Sequence, residues 1–127
     1  MIKNVTILGA GESGFGAAML ASKKGYNVFV SDLNYIDDNI KLVFEDNSIE
    51  YEENDHSIDK IKCSDLIIKS PGIPDSSDLV VKIKSLKIPI ISEIEFASNN
   101  SNSFKICITG TNGKTTTTNL IYSILKA

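Results

Sequence analysis

Gly9-Ala10-Gly11-Glu12-Ser13-Gly14 and Thr109-Gly110-Thr111-Asn112-Gly113-Lys114-Thr115-Thr116 are the two stretches whose residue types and spacing suit chemistry, and both suit a phosphate. In the first, a GxGxxG pattern, Gly9 permits a tight turn, Gly11 lets a diphosphate approach the main chain, and Gly14 permits close packing of a helix on a strand. Free backbone N–H groups and the positive end of the helix dipole attract the anion. Asp32, 18 residues after Gly14, stands near the place where an acidic residue meets a nucleotide's ribose. The pattern points to a nucleotide diphosphate without saying which one. NAD(P) is its usual owner, and a plain strand-to-helix turn also uses such glycines.

In the second stretch the backbone N–H groups of Gly110, Thr111, Asn112 and Gly113 can cradle triphosphate oxygens. Lys114 can reach the β- and γ-phosphates as a point charge, and the Thr115 hydroxyl can ligate Mg²⁺. Lys114 is therefore the catalytic candidate, Thr115 the metal-ligand candidate, and Thr116 a phosphate candidate for ATP chemistry. The strict P-loop pattern GxxxxGK[ST] requires glycine at position 108, where Ile108 stands, so the loop is a shortened variant. Thr115 to Thr118 are consecutive β-branched residues at a helix start. Such residues are mediocre helix formers, and hydroxyl chemistry explains Thr115 and Thr116 better than propensity does.

The elements that must hold these loops follow from the apolar pattern. Val5–Leu8, Val28–Val30, Leu66–Ile68, Ile88–Ile91 and Ile106–Ile108 are short continuous runs, as expected of strands covered on both faces. A weaker strand includes Ile49 and Tyr51. Helical spacing links Ile36, Ile40, Val43 and Phe44, and again Leu79, Ile83 and Leu86. The first helix is expected to start near Ser13 and stop at Gly25, a C′ glycine after Lys23 and Lys24. Alternating strands and helices predict an α/β fold, a Rossmann-like doubly wound, mostly parallel sheet of about five strands. The polar, turn-prone run Ala97 to Ser103 reads as a linker closing the first domain near residue 98. Phe104 to Thr109 is expected to be a new strand and Thr115 to Ala127 a new helix with an apolar stripe of Leu120, Ile121, Ile124 and Leu125. A unit that small cannot bury enough surface by itself, so a chain cut from something longer is expected.

With 127 residues, 42% of them hydrophobic and 23% charged, the composition is that of one globular domain plus a remnant. No apolar run approaches a membrane span, and no export signal opens the chain, so a cytoplasmic protein with no membrane partner is expected. A net charge of −3 and a pI near 5.1 argue against a nucleic-acid surface. Cys63 and Cys107, outside any metal-binding spacing, are expected to be buried and reduced. The acidic run with Glu45, Asp46, Glu50, Glu52, Glu53 and Asp55 is expected to be a solvated face, and the lone His56 a surface-loop residue. Glu93 and Glu95 are expected to serve structure rather than acid–base work.

TGTNGKTT, with a glycine-rich loop about a hundred residues upstream, resembles the Mur ligases of peptidoglycan synthesis. ILGAGESGFGAA and VFVSD within residues 2–32, Ser70-Pro71-Gly72-Ile73 after IIK, and Ile91-Ser92-Glu93-Ile94-Glu95 are most similar to the members that act on UDP-N-acetylmuramoyl-L-alanine. The alanine-adding members are a lesser match. The resemblance implies ATP-driven amide formation: a carboxylate of UDP-N-acetylmuramoyl-L-alanine is phosphorylated, the D-glutamate amine attacks the acyl phosphate, and phosphate leaves. It assigns residues 1–98 to UDP-substrate binding, 99–103 to a linker, and 104–127 to the start of a truncated ATP-binding domain.

By matching position, Gly11, Glu12, Ser13 and Gly14 would carry the diphosphate. Asp32, Leu33 and Asn34 would meet the uridine, Asn34 standing where related enzymes can have a basic residue. Ser70, Pro71 and Gly72 would line the same cleft, at the carboxyl edge of the sheet where doubly wound folds bind ligands. ATP and Mg²⁺ are the implied cofactors, and D-glutamate would enter through a carboxy-terminal domain that does not follow Ala127. A monomer without ligase turnover is expected. Two other readings remain open: an NAD(P)-binding module of a dehydrogenase or regulator, which leaves the second loop without purpose, and a small stand-alone regulatory domain.

Overall fold

Residues 2–126 are described by the computed structural model. Four of the apolar runs and the weaker segment around Tyr51 become five parallel strands, β1 (Asn4–Leu8), β2 (Asn27–Ser31), β3 (Glu50–Glu52), β4 (Leu66–Lys69) and β5 (Ile90–Ser92), in the order β3-β2-β1-β4-β5. Six helices accompany them: α1 (Glu12–Lys23), α2 (Asp38–Asp46), α3 (Ile58–Ile61), α4 (Asp78–Ser85), α5 (Glu93–Asn99) and α6 (Lys114–Lys126). The chain reverses direction across the sheet between β1 and β4, which makes their carboxyl ends a topological switch point.

Strand alternation divides the core into two layers. Val5 and Ile7 of β1, Val28 and Val30 of β2, and Leu66 and Ile68 of β4 pack with Ala17, Ala18 and Ala21 of α1, Phe44 of α2 and Phe96 of α5. Leu8 and Ile67 point the other way, onto Ile61 of α3 and Ile83 of α4. The small alanines let α1 lie close on the sheet, while Phe44, fully buried against Phe15 and Tyr51, fills the space beside it. Burial of one such aromatic is worth about 2–3 kcal/mol.

Helix ends follow local chemistry. Asp37 accepts a hydrogen bond from Asn39 N at 2.9 Å and Ser92 from Glu95 N at 3.1 Å, capping α2 and α5. At the other end of α1, Gly25 takes φ +81° directly after the last turn, as its position in the sequence requires.

Several expectations change. Helix α5 runs through Asn99, so Ala97 and Ser98 are helical rather than linker; the Ser92 cap and buried Phe96 give that short segment the stop and anchor it needs. Phe104–Thr109 forms no strand, because no neighbouring strand is there to take its hydrogen bonds, and Phe104 is 92% exposed. The last helix starts at Lys114 and has no buried residue among those described; Ala127 lies outside the described residues. Cys63 and Cys107 are exposed rather than buried, since one follows the short helix α3 at the surface and the other sits in the irregular 104–113 segment. No described helix is long and apolar enough to cross a membrane.

The glycines of α1 separate two physical effects. A Cβ on Gly14 would lie 1.9 Å from the Gly9 carbonyl oxygen, whereas one on Gly16 would meet nothing within 4 Å. Gly14→Ala is expected to cost more than about 2 kcal/mol in urea unfolding, and Gly16→Ala to add about 0.5–1 kcal/mol.

Candidate functional site

The glycine loop is the hinge between β1 and α1, and its shape is set by main-chain bonds to both neighbouring strands. Gly9 N donates to Ser31 O at 2.8 Å, and Ser70 N donates to Leu8 O at 3.0 Å. Gly9 has φ +96°, and a Cβ there would sit 2.7 Å from Ser70 Oγ. Glycine is thus required both for the turn and for the approach of the β4 end. Gly11 precedes α1 as its cap residue with no side chain over the first turn, leaving those N–H groups directed at the open space above the sheet.

Asp32 is central to the arrangement. Its Oδ2 accepts from Ala10 N at 2.6 Å and its Oδ1 from Asn34 N at 2.8 Å. One carboxylate therefore clamps the glycine loop after β1 to the turn after β2. Oδ1 also accepts from Asn34 Nδ2 at 3.2 Å, so Oδ2 is the oxygen that keeps a further lone pair for a ligand hydroxyl. Across the cleft, Ser70-Pro71-Gly72 forms a turn closed by Ile73 N donating to Ser70 O at 3.1 Å. Lys69 Nζ reaches over that turn to Ile73 O at 2.7 Å and stands 3.5 Å from Asp75 Oδ1.

These segments enclose a cleft of about 520 Å³ at the carboxyl ends of the strands. Of the residues expected at the first loop, Gly11, Ser13, Asp32, Leu33, Asn34, Ser70, Pro71 and Gly72 line it. Glu12 is exposed and does not line it, and Gly14 lies buried beneath the loop. Ser13 Oγ donates to Glu93 Oε1 at 3.0 Å, and Glu93 is only 6% exposed. This carboxylate at the start of α5 fixes the first turn of α1. A second hollow of about 550 Å³ lies at the opposite side of the molecule, along Asn4, Thr6, Asn27, Phe29 and Lys60. It lacks an anion-directed helix end, so the chemistry belongs to the first.

Sequence reasoning missed Ile73, Pro74 and Leu79, which give the cleft its apolar wall, and Ser77, which caps α4 beside them, and it misjudged His56. His56 does lie in the loop between β3 and α3, but it is half-buried and lines the cleft, its Nδ1 2.6 Å from Ser31 Oγ. Ser31 Oγ donates to Glu52 Oε1 at 2.7 Å, and the same oxygen accepts from Ser57 N at 2.7 Å. The signal for this cluster was Ser31 itself. A hydroxyl in a fully buried strand position needs a partner, and a histidine in an otherwise acidic run is a ready one. Nor is the acidic run one solvated face: Glu53 is half-buried, paired with Lys41 at 2.9 Å and bonded to Ile36 N at 2.9 Å.

The second loop stands apart from the cleft. Gly113 takes φ +77°, and Lys114 Nζ folds back to donate to Gly110 O, closing the loop on itself. Gly110, Thr111, Asn112, Gly113, Lys114, Thr115 and Thr116 are all exposed. A glycine-only turn, a lysine directed over it and a helix start behind it are a donor set that fits a polyphosphate. For a divalent cation the side chains of the loop offer hydroxyls and the Asn112 amide oxygen but no carboxylate, and among the described residues no cluster of three or more His, Cys, Asp or Glu could hold one.

A parallel sheet with a glycine loop at its switch point and a cleft over the strand ends makes this a doubly wound α/β protein. The sequence profile of the MurD N-terminal domain matches residues 4–79. The chain belongs to the MurD N-terminal domain family. It is 51% identical over 126 residues to a UDP-N-acetylmuramoylalanine–D-glutamate ligase of Bacteroides thetaiotaomicron, covering 99% of this chain and 28% of that protein. Among solved structures, a murein peptide ligase of Psychrobacter arcticus superposes with a TM-score of 0.72 at 26% identity over 98% of this chain and 26% of the other. A UDP-N-acetylmuramate-alanine ligase of Thermotoga maritima gives 0.66 at 25% identity, covering 99% of this chain and 29% of its own. The chain spans about 28% of the length of the curated relatives it matches.

His56 is the single histidine of the chain. Desolvation holds its pKa below the usual 6.5, against the upward pull of the Asp32, Glu52 and Asp55 carboxylates. The unfolded chain therefore binds this proton at higher pH than the folded one. The stability carried by the neutral ring is complete above about pH 6.5 and is lost as pH falls through the depressed folded value. Urea midpoints measured from about pH 7.5 to about 5.5 are expected to decline, and His56→Gln to flatten that decline.

Proposed function

We propose that the chain holds the UDP end of UDP-N-acetylmuramoyl-L-alanine within an ATP-dependent ligase that joins D-glutamate to it in peptidoglycan synthesis. The observation that carries this reading is the cleft: an opening of about 520 Å³ lined by the bare start of α1 and by the Ser70–Gly72 turn, in a chain of the MurD N-terminal domain family. In this reading Gly11 and Ser13 form the diphosphate seat, with Glu12 offering only its backbone N–H and Gly14 packing the helix beneath the loop. Asp32, Leu33 and Asn34 meet the uridine, and Ser70, Pro71 and Gly72 close the opposite wall. Residues 1–98 act as the substrate-binding unit, 99–103 as the connection and 104–127 as the beginning of an ATP-binding unit, in a cytoplasmic monomer.

At that second unit Gly110 to Thr116 would hold the ATP phosphates, Lys114 supplying a positive charge to the transferred phosphoryl group and Thr115 a hydroxyl to Mg²⁺. ATP with Mg²⁺ would supply the phosphoryl group that activates the substrate carboxylate for attack by the D-glutamate amine. Relatives more than three times as long carry residues that this chain does not contain, so the 127 residues by themselves are expected to give no turnover.

Titration of the isotope-labelled chain with UDP is expected to shift the amides of Gly11, Ser13, Gly14 and Asp32 at millimolar ligand or below. An equal titration with NADH discriminates the dehydrogenase-like reading, which accounts for the first loop but gives Thr109–Thr116 nothing to do. Saturation by NADH with no response to UDP would falsify the proposal. ADP release that depends on UDP-N-acetylmuramoyl-L-alanine and D-glutamate would contradict the expected inactivity.

A further inference from the structure

The hydroxyl of Ser31 has one proton and three polar neighbours. Two of them, Glu52 Oε1 at 2.7 Å and the Asp55 carbonyl oxygen at 3.3 Å, can only accept when the carboxyl is ionised. The pKa of Glu52 is held below its usual value by the hydrogen bonds of Ser57 and Ser31, which outweigh its desolvation, so it is ionised at neutral pH. Ser31 must give its proton to one of those acceptors, and its oxygen must then accept from the third neighbour, His56 Nδ1 at 2.6 Å. The imidazole is locked with hydrogen on Nδ1. When the ring is neutral, Nε2 is left as a bare lone pair, and it makes no hydrogen bond among the described residues. A side chain that is normally ambiguous between donor and acceptor has been made an acceptor by a buried serine and a buried-edge glutamate.

The strand order says which part of a nucleotide this acceptor would face. The glycine loop follows β1, Asp32 follows β2 and His56 follows β3, in the spatial order β3-β2-β1. A diphosphate at the start of α1 with its ribose near Asp32 therefore points its base toward His56, one to two strand spacings away, about 5–10 Å. We propose that His56 is a base-specificity residue of the cleft, whose Nε2 accepts a hydrogen bond from a pyrimidine ring N–H and so selects uracil, protonated at N3, over cytosine, which presents a lone pair there. The proposal deepens the reading of the cleft as a UDP site and rests on it. Glu52 and Ser31 are positioning residues: they act through the ring.

The single histidine makes the test direct, because one imidazole appears in nitrogen-detected spectra of the full chain. At neutral pH the free protein is expected to show the Nδ1–H form, and addition of UDP, but not CDP, to shift the Nε2 resonance. By calorimetry UDP is expected to bind about fivefold to tenfold more tightly than CDP, a ratio worth one neutral hydrogen bond. His56→Ala should bring the two ligands within about twofold by weakening UDP alone. Ser31→Ala, which frees the ring to carry hydrogen on either nitrogen, should narrow the ratio while UDP still binds. An Nε2–H ring in the free protein, or His56→Ala weakening UDP and CDP alike, overturns the role of His56 and leaves the UDP site standing. Failure of the unsubstituted chain to bind UDP at all overturns both. If His56→Ala does not fold, the tautomer and the UDP-against-CDP response of the unsubstituted chain decide.

Discussion

Asp32 sits at the end of the second strand with both carboxylate oxygens already in use, one on the backbone N–H of Ala10 and the other on that of Asn34. Parallel strands bring their carboxyl ends to one edge, but nothing in the sheet itself aligns the loops that leave them. This carboxylate does so. It ties the loop leaving β1 to the turn leaving β2, and the β4 end is brought in by Ser70 N on Leu8 O. Charge-assisted bonds to backbone N–H groups are about twice as strong as neutral ones, so the cleft's geometry is built before any ligand arrives. Removing the carboxylate would loosen the glycine loop as well as any contact it makes with a nucleotide, which makes its structural and binding contributions hard to separate by substitution alone.

Legibility in the sequence followed physical strength. Four of the five strands were visible as continuous apolar runs because both faces of the sheet are covered, β3 left only the weaker trace of Ile49 and Tyr51, and the glycine spacing at 9, 11 and 14 marked the loop because only glycine tolerates the φ at Gly9 and the contact at Gly14. The eight residues expected to line the cleft and found there lie at strand ends and helix starts, where backbone geometry confines the choices. His56 was illegible for the opposite reason. Its position depends on which face of β2 Ser31 takes and on how the chain returns after β3, and neither leaves a periodic trace. The apolar run at Ile106–Ile108 misled because hydrophobicity alone does not make a strand; pairing does.

The molecule therefore has two regions of different character. Around the cleft, buried polar groups are fully satisfied: among the described residues no buried side-chain nitrogen or oxygen lacks a partner, and chains such as His56–Ser31–Glu52 hold side chains to one arrangement. Beyond α5, Phe104, Ile124 and Leu125 are mostly exposed, and the phosphate-type loop there is held by its own lysine. The first region draws its rigidity from contacts distant in sequence. The second relies on local helix and turn bonds, which are weaker and open more readily.

The hydrogen bond from Ser13 to Glu93 ties α1 to α5 through a scarce resource, a single hydroxyl proton. While Ser13 spends that proton on Glu93, α5 is pinned to the first turn of α1. An anion seated on the loop would want the same proton, and its charge would also be repelled by the buried carboxylate behind it. An anion bound there would therefore compete for one of the two anchors of α5, the Ser13 hydroxyl, while the buried Phe96 keeps the other.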